Sequence, residues 1–235
     1  MDLGGIELTW LGHASIRLRL DDGTTVLVDP WLTDNPACPD HERTQDRIDA
    51  IYVTHGHFDH FGDTLELART SGARVFAIHE VAEYLGSKGI ETAVGSNKGG
   101  FVEGPGGVRG TLTDAVHSAG ISGDGGIVPG GEAAGWVLDM PGGTTIYHAG
   151  DTTVFGDMAL IGEIFEPDVA LLPIGGHYTM GPGLAARAAK LLGVESVIPV
   201  HFGTFPILSG TPDNLRAAAD GAFEVVAAEI GIPIR

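Results

Sequence analysis

The chain repeats one order of secondary structure in its two halves, and this repeat constrains the fold more than any other feature of the sequence. Segments 16–30 (IRLRLDDGTTVLVDP) and 136–151 (WVLDMPGGTTIYHAGD) align at an offset of 120 residues. Both have the pattern of a β-hairpin whose second strand leads to an aspartate. A short apolar run typical of a buried strand follows each hairpin, at 48–55 and at 167–175.

A helix and a further strand complete the repeated unit. Residues 67–79 and 188–201 each contain a helix-like run that closes on Gly72 or Gly193, followed by a strand-like run that ends in histidine. The ordered series of matches predicts a sandwich of two mixed β-sheets with helices on the outer faces. We therefore expect a single domain over residues 1–235, built from two similar halves of about 1–120 and 121–235.

The overall composition is typical of a globular protein that does not bind nucleic acid. Hydrophobic residues make up 43% of the 235 positions, which is enough for a sizeable core. The formal net charge is −18 and the chain has only 13 lysine and arginine residues, whereas binding to phosphate backbones or anionic lipids depends on these two residues. We expect a small-molecule substrate and neither nucleic acid nor membrane as a partner; a homo-oligomer is compatible with the sequence.

The sequence gives no sign of export or of a membrane anchor. Its first residues, MDLGGIELTW, lack the basic region and apolar stretch of a secretory signal. No run approaches the roughly 18 apolar residues of a membrane span. The single cysteine, Cys38, allows no internal disulfide, so we expect a cytoplasmic protein.

Residues 51–63, IYVTHGHFDHFGD, place four side chains of metal-ligand type within six positions: His55, His57, Asp59 and His60. Residues two apart on an extended chain share a face, so His55 and His57 point the same way and Asp59 follows as the chain leaves the strand. His60 is one position out of phase and points elsewhere. Ligand side chains that point in two directions suit two adjacent metal ions better than a single ion. The near absence of cysteine favours a catalytic site with nitrogen and oxygen ligands over a structural zinc site.

Three further candidate ligands follow strand-like runs elsewhere in the chain. They are His117 in DAVHSAGI, Asp151 in YHAGDT and His201 in VIPVHFGTF. Each comes after an apolar run and before small or turn-forming residues. Any one of them alone would be interpreted as a polar residue that closes a strand. Together with the histidine-rich turn, they form a ligand set for a metal centre.

The series DP, THGHFDH, H, HAGDT and H resembles the five-motif signature of the metallo-β-lactamase superfamily and spans nearly the whole chain. The pieces WLGHAS, LVDPWL, HAGDT, LLPIGGHYTMGP and VIPVHFGTFP further resemble the metal-dependent hydrolases grouped near ascorbate-6-phosphate lactonase and N-acyl-phosphatidylethanolamine phospholipase D. This resemblance implies an α+β fold, the four-layer αββα sandwich of that superfamily. The implied fold agrees with the one that the repeated halves predict.

The resemblance also implies a role for each matching residue. A first metal ion would be held by His55, His57 and His117 and a second by Asp59, His60 and His201, with Asp151 bridging both. Asp29, in the first motif, would orient the histidine turn by accepting a hydrogen bond and would not itself bind metal.

The implied activity is hydrolysis by a hydroxide that bridges two divalent metal ions. The substrate would be an ester, lactone, amide or phosphoester of a small molecule. Metals lower the pKa of bound water from 15.7 toward about 7 and polarise the scissile group, and Asp59 would also orient the hydroxide. Zinc is the first expectation, with manganese or iron as alternatives, because histidine and aspartate ligands discriminate weakly among these metals. No cysteine occupies a ligand position, unlike in many true β-lactamases, which argues against antibiotic hydrolysis.

Two histidines outside the ligand set are further candidates for catalysis. His177 lies in PIGGHYTMGP, after a buried strand-like run on the side where the ligands are expected, and is our candidate general acid. His13, in WLGHAS, matches a position near the metal cleft of the family and is our candidate for a substrate contact. Histidine suits either role because it titrates near neutral pH.

Two other classes of function stay open at the level of sequence. The same scaffold can hold iron and act as a redox enzyme on oxygen or sulfur species. The chain could also be a non-catalytic binding protein that metal stabilises. The complete set of seven candidate ligands favours an enzyme over the binding protein, and among enzymes we favour the hydrolase.

Overall fold

The computed structural model describes residues 3–123 and 126–235, in which β-strands form two stacked sheets with helices on the outer faces. The strands are, in chain order, β1 (Glu7–Trp10), β2 (Ile16–Arg19), β3 (Thr25–Val28), β4 (Ala50–Tyr52), β5 (Arg74–Ile78), β6 (Ala93–Ser96), β7 (Phe101–Glu103), β8 (Arg109–Asp114), β9 (Ile121–Gly123), β10 (Gly126–Val128), β11 (Ala134–Asp139), β12 (Thr145–His148), β13 (Val169–Pro173), β14 (Ser196–Val200), β15 (Glu224–Val225) and β16 (Pro233–Ile234).

The helices end where the sequence predicts. Gly72 and Gly193 follow their helices in the left-handed conformation, with φ of 72° and 68°, which glycine adopts without steric cost. In the described part of the chain, no helix is both long and apolar enough to cross a membrane. The helices are α1 (Phe58–Phe61), α2 (Thr64–Ser71), α3 (His79–Ser87), α4 (Met158–Phe165), α5 (Pro182–Leu192) and α6 (Pro212–Ala219).

Each large sheet contains seven strands within the described residues and is mixed, which confirms the predicted αββα sandwich and its α+β class. The first sheet has the order β16-β1-β2-β3-β4-β5-β6, and its pairs from β3 to β6 are parallel. The second has the order β15-β14-β13-β12-β11-β8-β7, and its pairs from β12 to β15 are parallel. The sheets do not divide the chain at residue 120, because β7 and β8 already pair in the second sheet while β16 returns to the first.

Contacts in the core between the sheets hold the two residues that follow β4. Trp136 on β11 is fully buried between the sheets, and its Nε1 donates a hydrogen bond of 2.9 Å to the carbonyl of Val53. The amide of Ala134 donates to the carbonyl of the next residue, Thr54, at 3.1 Å. Burial of an indole of this kind stabilises a fold by about 3–5 kcal/mol relative to alanine. The start of the histidine-rich turn is therefore anchored to the opposite sheet.

Candidate metal centre

The seven candidate ligands meet at one end of the sandwich, although the chain supplies them from four places. The turn after β4 carries four of them, and the ends of β8, β12 and β14 precede the other three. Parallel strands of one sheet end on the same edge, so this arrangement follows from the topology. The seven residues are His55, His57, Asp59, His60, His117, Asp151 and His201.

Two groups of ligand atoms share this end of the fold, and in each group all the atoms lie within 4.8 Å of one another. Asp151 lies between the groups: its Oδ1 is 3.1 Å from His60 Nε2, and its Oδ2 is 3.1 Å from His201 Nε2 and 3.4 Å from His117 Nε2. One group consists of His55, His57, His117 and Asp151, and the other of His13, Asp59, His60 and His201.

A buried carboxylate orients the histidine turn from below. Asp29 has no exposed surface and accepts hydrogen bonds from the amide and hydroxyl of Thr54 at 2.7 and 2.6 Å. Its Oδ2 also lies 2.7 Å from Nδ1 of His60, and the Thr54 hydroxyl lies 3.0 Å from Nδ1 of His55. These contacts engage Nδ1 of both rings, as is usual beneath a metal site, and direct each Nε2 toward other candidate ligands: that of His55 lies 2.9 Å from His57 Nδ1, and that of His60 3.1 Å from Asp151 Oδ1.

His13 is a buried member of the second group and does not line the cleft. It is fully buried, its Nε2 is 3.0 Å from Asp59 Oδ2, and its Nδ1 is 2.9 Å from the hydroxyl of Thr204. Burial, partly opposed by the hydrogen bond to Asp59, lowers the pKa of His13 to about 4. Both ring nitrogens therefore have protein partners, and the ring presents no surface to a substrate.

The histidines of the first group are held in their neutral form. Burial is the largest influence on His55, His57 and His117, and it lowers the pKa of all three. The nearby histidines lower these pKa values further. A metal binds imidazole only in its neutral form, so these residues need not lose a proton when an ion enters.

The carboxylates of the centre attract positive charge. Burial alone would raise the pKa of Asp151, but His201 and His60 hold it well below its usual value. The same interactions raise the pKa of His60 well above its ordinary value and that of His201 to about 9, against the effect of burial. Two anions, the buried Asp151 and the half-buried Asp59, thus favour positive charge within the cluster, and divalent ions would satisfy that preference.

The donor set fits divalent metal ions, and unpaired polar atoms support this conclusion. Nine buried side-chain polar atoms of the described residues have no partner in hydrogen-bond geometry, and four of them belong to candidate ligands. Three of the four are His60 Nε2, His201 Nε2 and Asp151 Oδ1, whose residues meet in contacts of 3.1 Å that lack this geometry. Buried polar atoms are rarely left without partners, because each costs roughly 1–3 kcal/mol. All three atoms belong to the candidate ligand set, so the residues present are consistent with a bound ion.

Backbone strain is concentrated at the same end of the fold. Among the described residues other than glycine, six have positive φ, and four of these are site candidates: His13 (54°), Asp29 (48°), His177 (61°) and His201 (54°). Such conformations cost on the order of 1–3 kcal/mol each and persist where surrounding contacts impose them. For His13, Asp29 and His201, the surrounding contacts thus hold the backbone in the conformation that directs these side chains to the centre.

A cleft of about 630 Å³ opens on the candidate ligands, and the loop after β13 forms part of its wall. Tyr178 lines this cleft, whereas His177 is exposed to solvent and is not among the lining residues. The two rings contact each other perpendicularly, with centroids 4.4 Å apart. The structure thus places the candidate general acid beside the cleft and brings its neighbour into it.

Sequence reasoning missed several residues of the site. The hydroxyl of Thr54 contacts both Asp29 and His55. Its place directly before His55 in VTHGHFDH is the sequence feature that could have indicated this role. Thr204 holds His13 across 191 positions of sequence, and no local pattern indicates that contact. The remaining cleft wall includes Phe58 and Phe205, which lie within quoted motifs but were not assigned a role, and Ile127 and Ile207, which lie outside them.

Comparison with known proteins identifies the group to which these features belong. The profile of the beta-lactamase superfamily domain matches residues 24–202. A UPF0173 metal-dependent hydrolase of Rubrobacter xylanophilus is 48% identical over 233 residues, which covers 99% of this chain and 93% of the relative. A UPF0173 metal-dependent hydrolase of Koribacter versatilis is 47% identical over 216 residues, which covers 92% of both chains.

A solved structure shows the same fold over almost the whole chain. It is Igni18, described as a novel metallo hydrolase from the archaeon Ignicoccus hospitalis, and it is 37% identical to this protein. The match covers 97% of each chain with a TM-score of 0.84. The likeness therefore extends over almost the whole sandwich.

Proposed function

Because this chain belongs to the beta-lactamase superfamily and is a metal-dependent hydrolase with the metallo-β-lactamase fold, we propose that it uses two divalent metal ions, preferably zinc, to hydrolyse an ester, lactone, amide or phosphoester of a small molecule. The observation that carries the dinuclear proposal is the position of Asp151 between two groups of ligand atoms. A carboxylate has two oxygens and can serve two ions at once. His55, His57 and His117 would hold one ion, and Asp59, His60 and His201 the other.

When bound, the ions would supply Lewis acidity, which lowers the pKa of a water molecule and polarises the scissile group. Asp59 lines the cleft and would orient the attacking water. His13 fixes Asp59 through the bond from Nε2, so we propose a role in positioning this carboxylate in place of the expected substrate contact. Asp29 keeps His60 in the tautomer whose Nε2 faces the centre.

The proton for the leaving group would come from the loop after β13. His177 remains our candidate donor, because catalytic contacts often form only when substrate is bound. Tyr178 is the alternative within the same loop, since its hydroxyl can donate and its side chain lines the cleft. We also propose a cytoplasmic location, which the single cysteine supports.

Metal analysis combined with turnover tests the proposed function. The metal-free chain is reconstituted with zinc, manganese or iron, freed of excess ion, and measured by elemental analysis and with ester, lactone and phosphodiester panels. We expect about two metal ions per chain, one for each ligand group, and activity that disappears with a chelator and returns with metal. A content that stays at one ion per chain would refute the dinuclear proposal, and metal-loaded protein without hydrolytic turnover would refute the hydrolytic one.

A further inference from the structure

The wall of the metal cleft is lined by large apolar side chains that are exposed to solvent. Phe58 is 53% exposed, Ile127 81%, Tyr178 61% and Ile207 47%. In the described part of the chain ten large hydrophobic residues are exposed, and these four all line this one cleft. Exposed apolar side chains gathered around a reactive centre commonly mark a binding surface.

Four separate segments supply this apolar wall, so it does not follow from the character of one loop. Phe58 begins α1, Ile127 lies on β10, Tyr178 follows β13 and Ile207 follows β14. The half-buried Phe205 joins them at the base, where its ring stacks on Trp31 with centroids 5.9 Å apart. The wall thus surrounds the candidate ligands from several sides.

The cleft offers almost nothing to a second charged group on a substrate. Among the described residues that line it, none is a lysine or an arginine. Its polar groups are candidate ligands, the hydroxyls of Ser118 and Ser122, and the hydroxyl of Tyr178. The net charge of −18 also repels anions as they approach. A carboxylate or phosphate away from the reacting bond would therefore lose water without gaining a partner.

We propose that the substrate is an uncharged carboxylic ester or lactone whose acyl chain is apolar and lies against Phe58, Ile127, Tyr178 and Ile207. This inference rests on the proposed hydrolytic function and names its substrate class. Water would form a bond from its oxygen to the acyl carbon while the bond from that carbon to the leaving oxygen breaks. One proton of the water passes to the leaving oxygen, and the products are a carboxylic acid and an alcohol. The cleft, at about 630 Å³, has the size of a small-molecule site.

The experiment uses the full chain loaded with metal and a series of nitrophenyl esters, with spontaneous hydrolysis subtracted. Acetate, butanoate and octanoate esters vary the length of the apolar chain. The half-esters of succinate and suberate match butanoate and octanoate in length but end in a carboxylate. We expect kcat/KM to rise about tenfold or more from acetate to octanoate, and to fall by a similar factor when the chain ends in a carboxylate.

A pair of variants ties the preference to the wall. Ile127→Ser removes an apolar side chain that is 81% exposed, so the variant should fold normally. Ile232→Ser is the matched control, because that residue is 55% exposed and lies outside the cleft. We expect Ile127→Ser to lower the ratio of kcat/KM for octanoate to that for acetate by roughly three- to tenfold, within the range for a few methylenes in an apolar pocket. The control should keep the ratio of the unmodified protein.

The outcomes separate this inference from the function on which it rests. Metal-dependent turnover of the acetate ester with no dependence on chain length would overturn the inference and leave the hydrolase intact. Faster cleavage of the carboxylate-ended esters would overturn it as well. Absence of metal-dependent turnover on every ester, with turnover of amides or phosphodiesters, would overturn the inference alone, whereas absence of turnover on all of these substrates would overturn both. A flat series, together with binding to phosphatidylcholine vesicles that Ile127→Ser abolishes, would overturn the inference and assign the apolar wall to a lipid surface.

Discussion

The loop after β4 and the loop after β13 occupy equivalent places in the two sheets, yet they differ in chemistry. Each follows a strand that is parallel to the hairpin strand before it, with matching registers of Val26 to Ala50 and Ile146 to Val169. The first loop carries four candidate ligands, of which His55 and His60 are buried. The second is exposed at His177 and Tyr178 and contributes none of the candidate ligands.

This difference indicates that a turn carrying metal ligands depends on hydrogen bonds to the residues beneath it. Asp29 follows β3 directly and accepts hydrogen bonds from Thr54 and His60. The residue directly after β12, at the equivalent place in the second sheet, is Ala149, whose buried methyl group accepts none. Imidazole rings in the second loop would have no carboxylate to fix their tautomers. The same topology therefore yields a turn with four candidate ligands in the first sheet and a loop that forms part of the cleft wall in the second.

The second loop is also held by a close backbone contact at its start. A Cβ atom at Gly175 would lie 2.2 Å from the carbonyl oxygen of His201 and 3.1 Å from Cβ of Leu208. The loop is thus pressed against the segment that delivers His201 to the centre. The second half supplies its histidine from the end of β14, and the loop after β13 passes beside it.

The largest effect is expected at Asp151, where the two ligand groups meet. Asp151→Ala should lower the metal content from about two ions per chain to below one. Activity should fall by more than the roughly 10- to 100-fold that removal of an outer partner of a metal ligand costs. The sheets should still form, because burial of apolar surface stabilises them. Elemental analysis, turnover and circular dichroism measure these three quantities, with the exposed Asp157→Ala as control. Near-normal turnover of Asp151→Ala would falsify its bridging role.

The next effect tests whether the second loop supplies the proton. His177→Ala should keep both metals and lose about 10²–10⁴-fold in kcat on alkyl esters, whose leaving groups need a proton. The loss should be much smaller on nitrophenyl esters, because nitrophenolate leaves without one. Tyr178→Phe is the companion variant. If kcat falls only on alkyl esters in Tyr178→Phe and does not fall in His177→Ala, Tyr178 is the proton donor. If kcat of His177→Ala falls equally on both ester types, His177 positions the substrate and does not donate the proton.

A smaller effect is expected when the support of the first loop is weakened. Asp29→Asn replaces a carboxylate that accepts from the Thr54 amide and hydroxyl and from His60. We expect metal affinity or kcat/KM to fall by roughly 10- to 100-fold, as for other partners of metal-binding histidines. Metal titration and turnover measure this change, and the exposed Asp46→Asn serves as a control with the same change of charge. Affinity and turnover equal to those of the control would show that the histidine turn holds its geometry without Asp29.

The smallest effect concerns stability and tests the contact of the second loop with His201. Gly175→Ala should lower the free energy of unfolding by about 1–3 kcal/mol, because the added methyl group meets a backbone carbonyl that cannot move freely. Gly86→Ala is the control within α3, where an added Cβ meets no atom within 4 Å, and it should raise that free energy by about 0.5–1 kcal/mol. Urea unfolding of the metal-free variants measures both values. Equal stability of the two variants would contradict the tight contact at Gly175.

The two-sheet architecture and most of the candidate ligand set can be predicted from sequence patterns. The alternation of the hairpins, the glycines that end the helices and the four ligand-type residues in 55–60 are local patterns, so one stretch of chain contains each signal. The return of β16 to the first sheet was not predicted, because its two residues carry too little pattern. The sheet to which β7 and β8 belong was also not predicted, because the pairing of β8 with β11 joins segments that are distant in sequence.

The grouping of these residues depends on the tertiary fold and could not be predicted from sequence. His13 meets Asp59 and Thr204 across 46 and 191 positions, and Asp151 lies between two groups of ligand atoms that come from four parts of the chain. The apolar cleft wall, and the placement of Tyr178 rather than His177 along it, likewise depend on which loops converge. Sequence patterns record the preferences of neighbouring residues. Distances between remote side chains are set by the packing of the whole sandwich, through contacts such as the one from Trp136 to Val53.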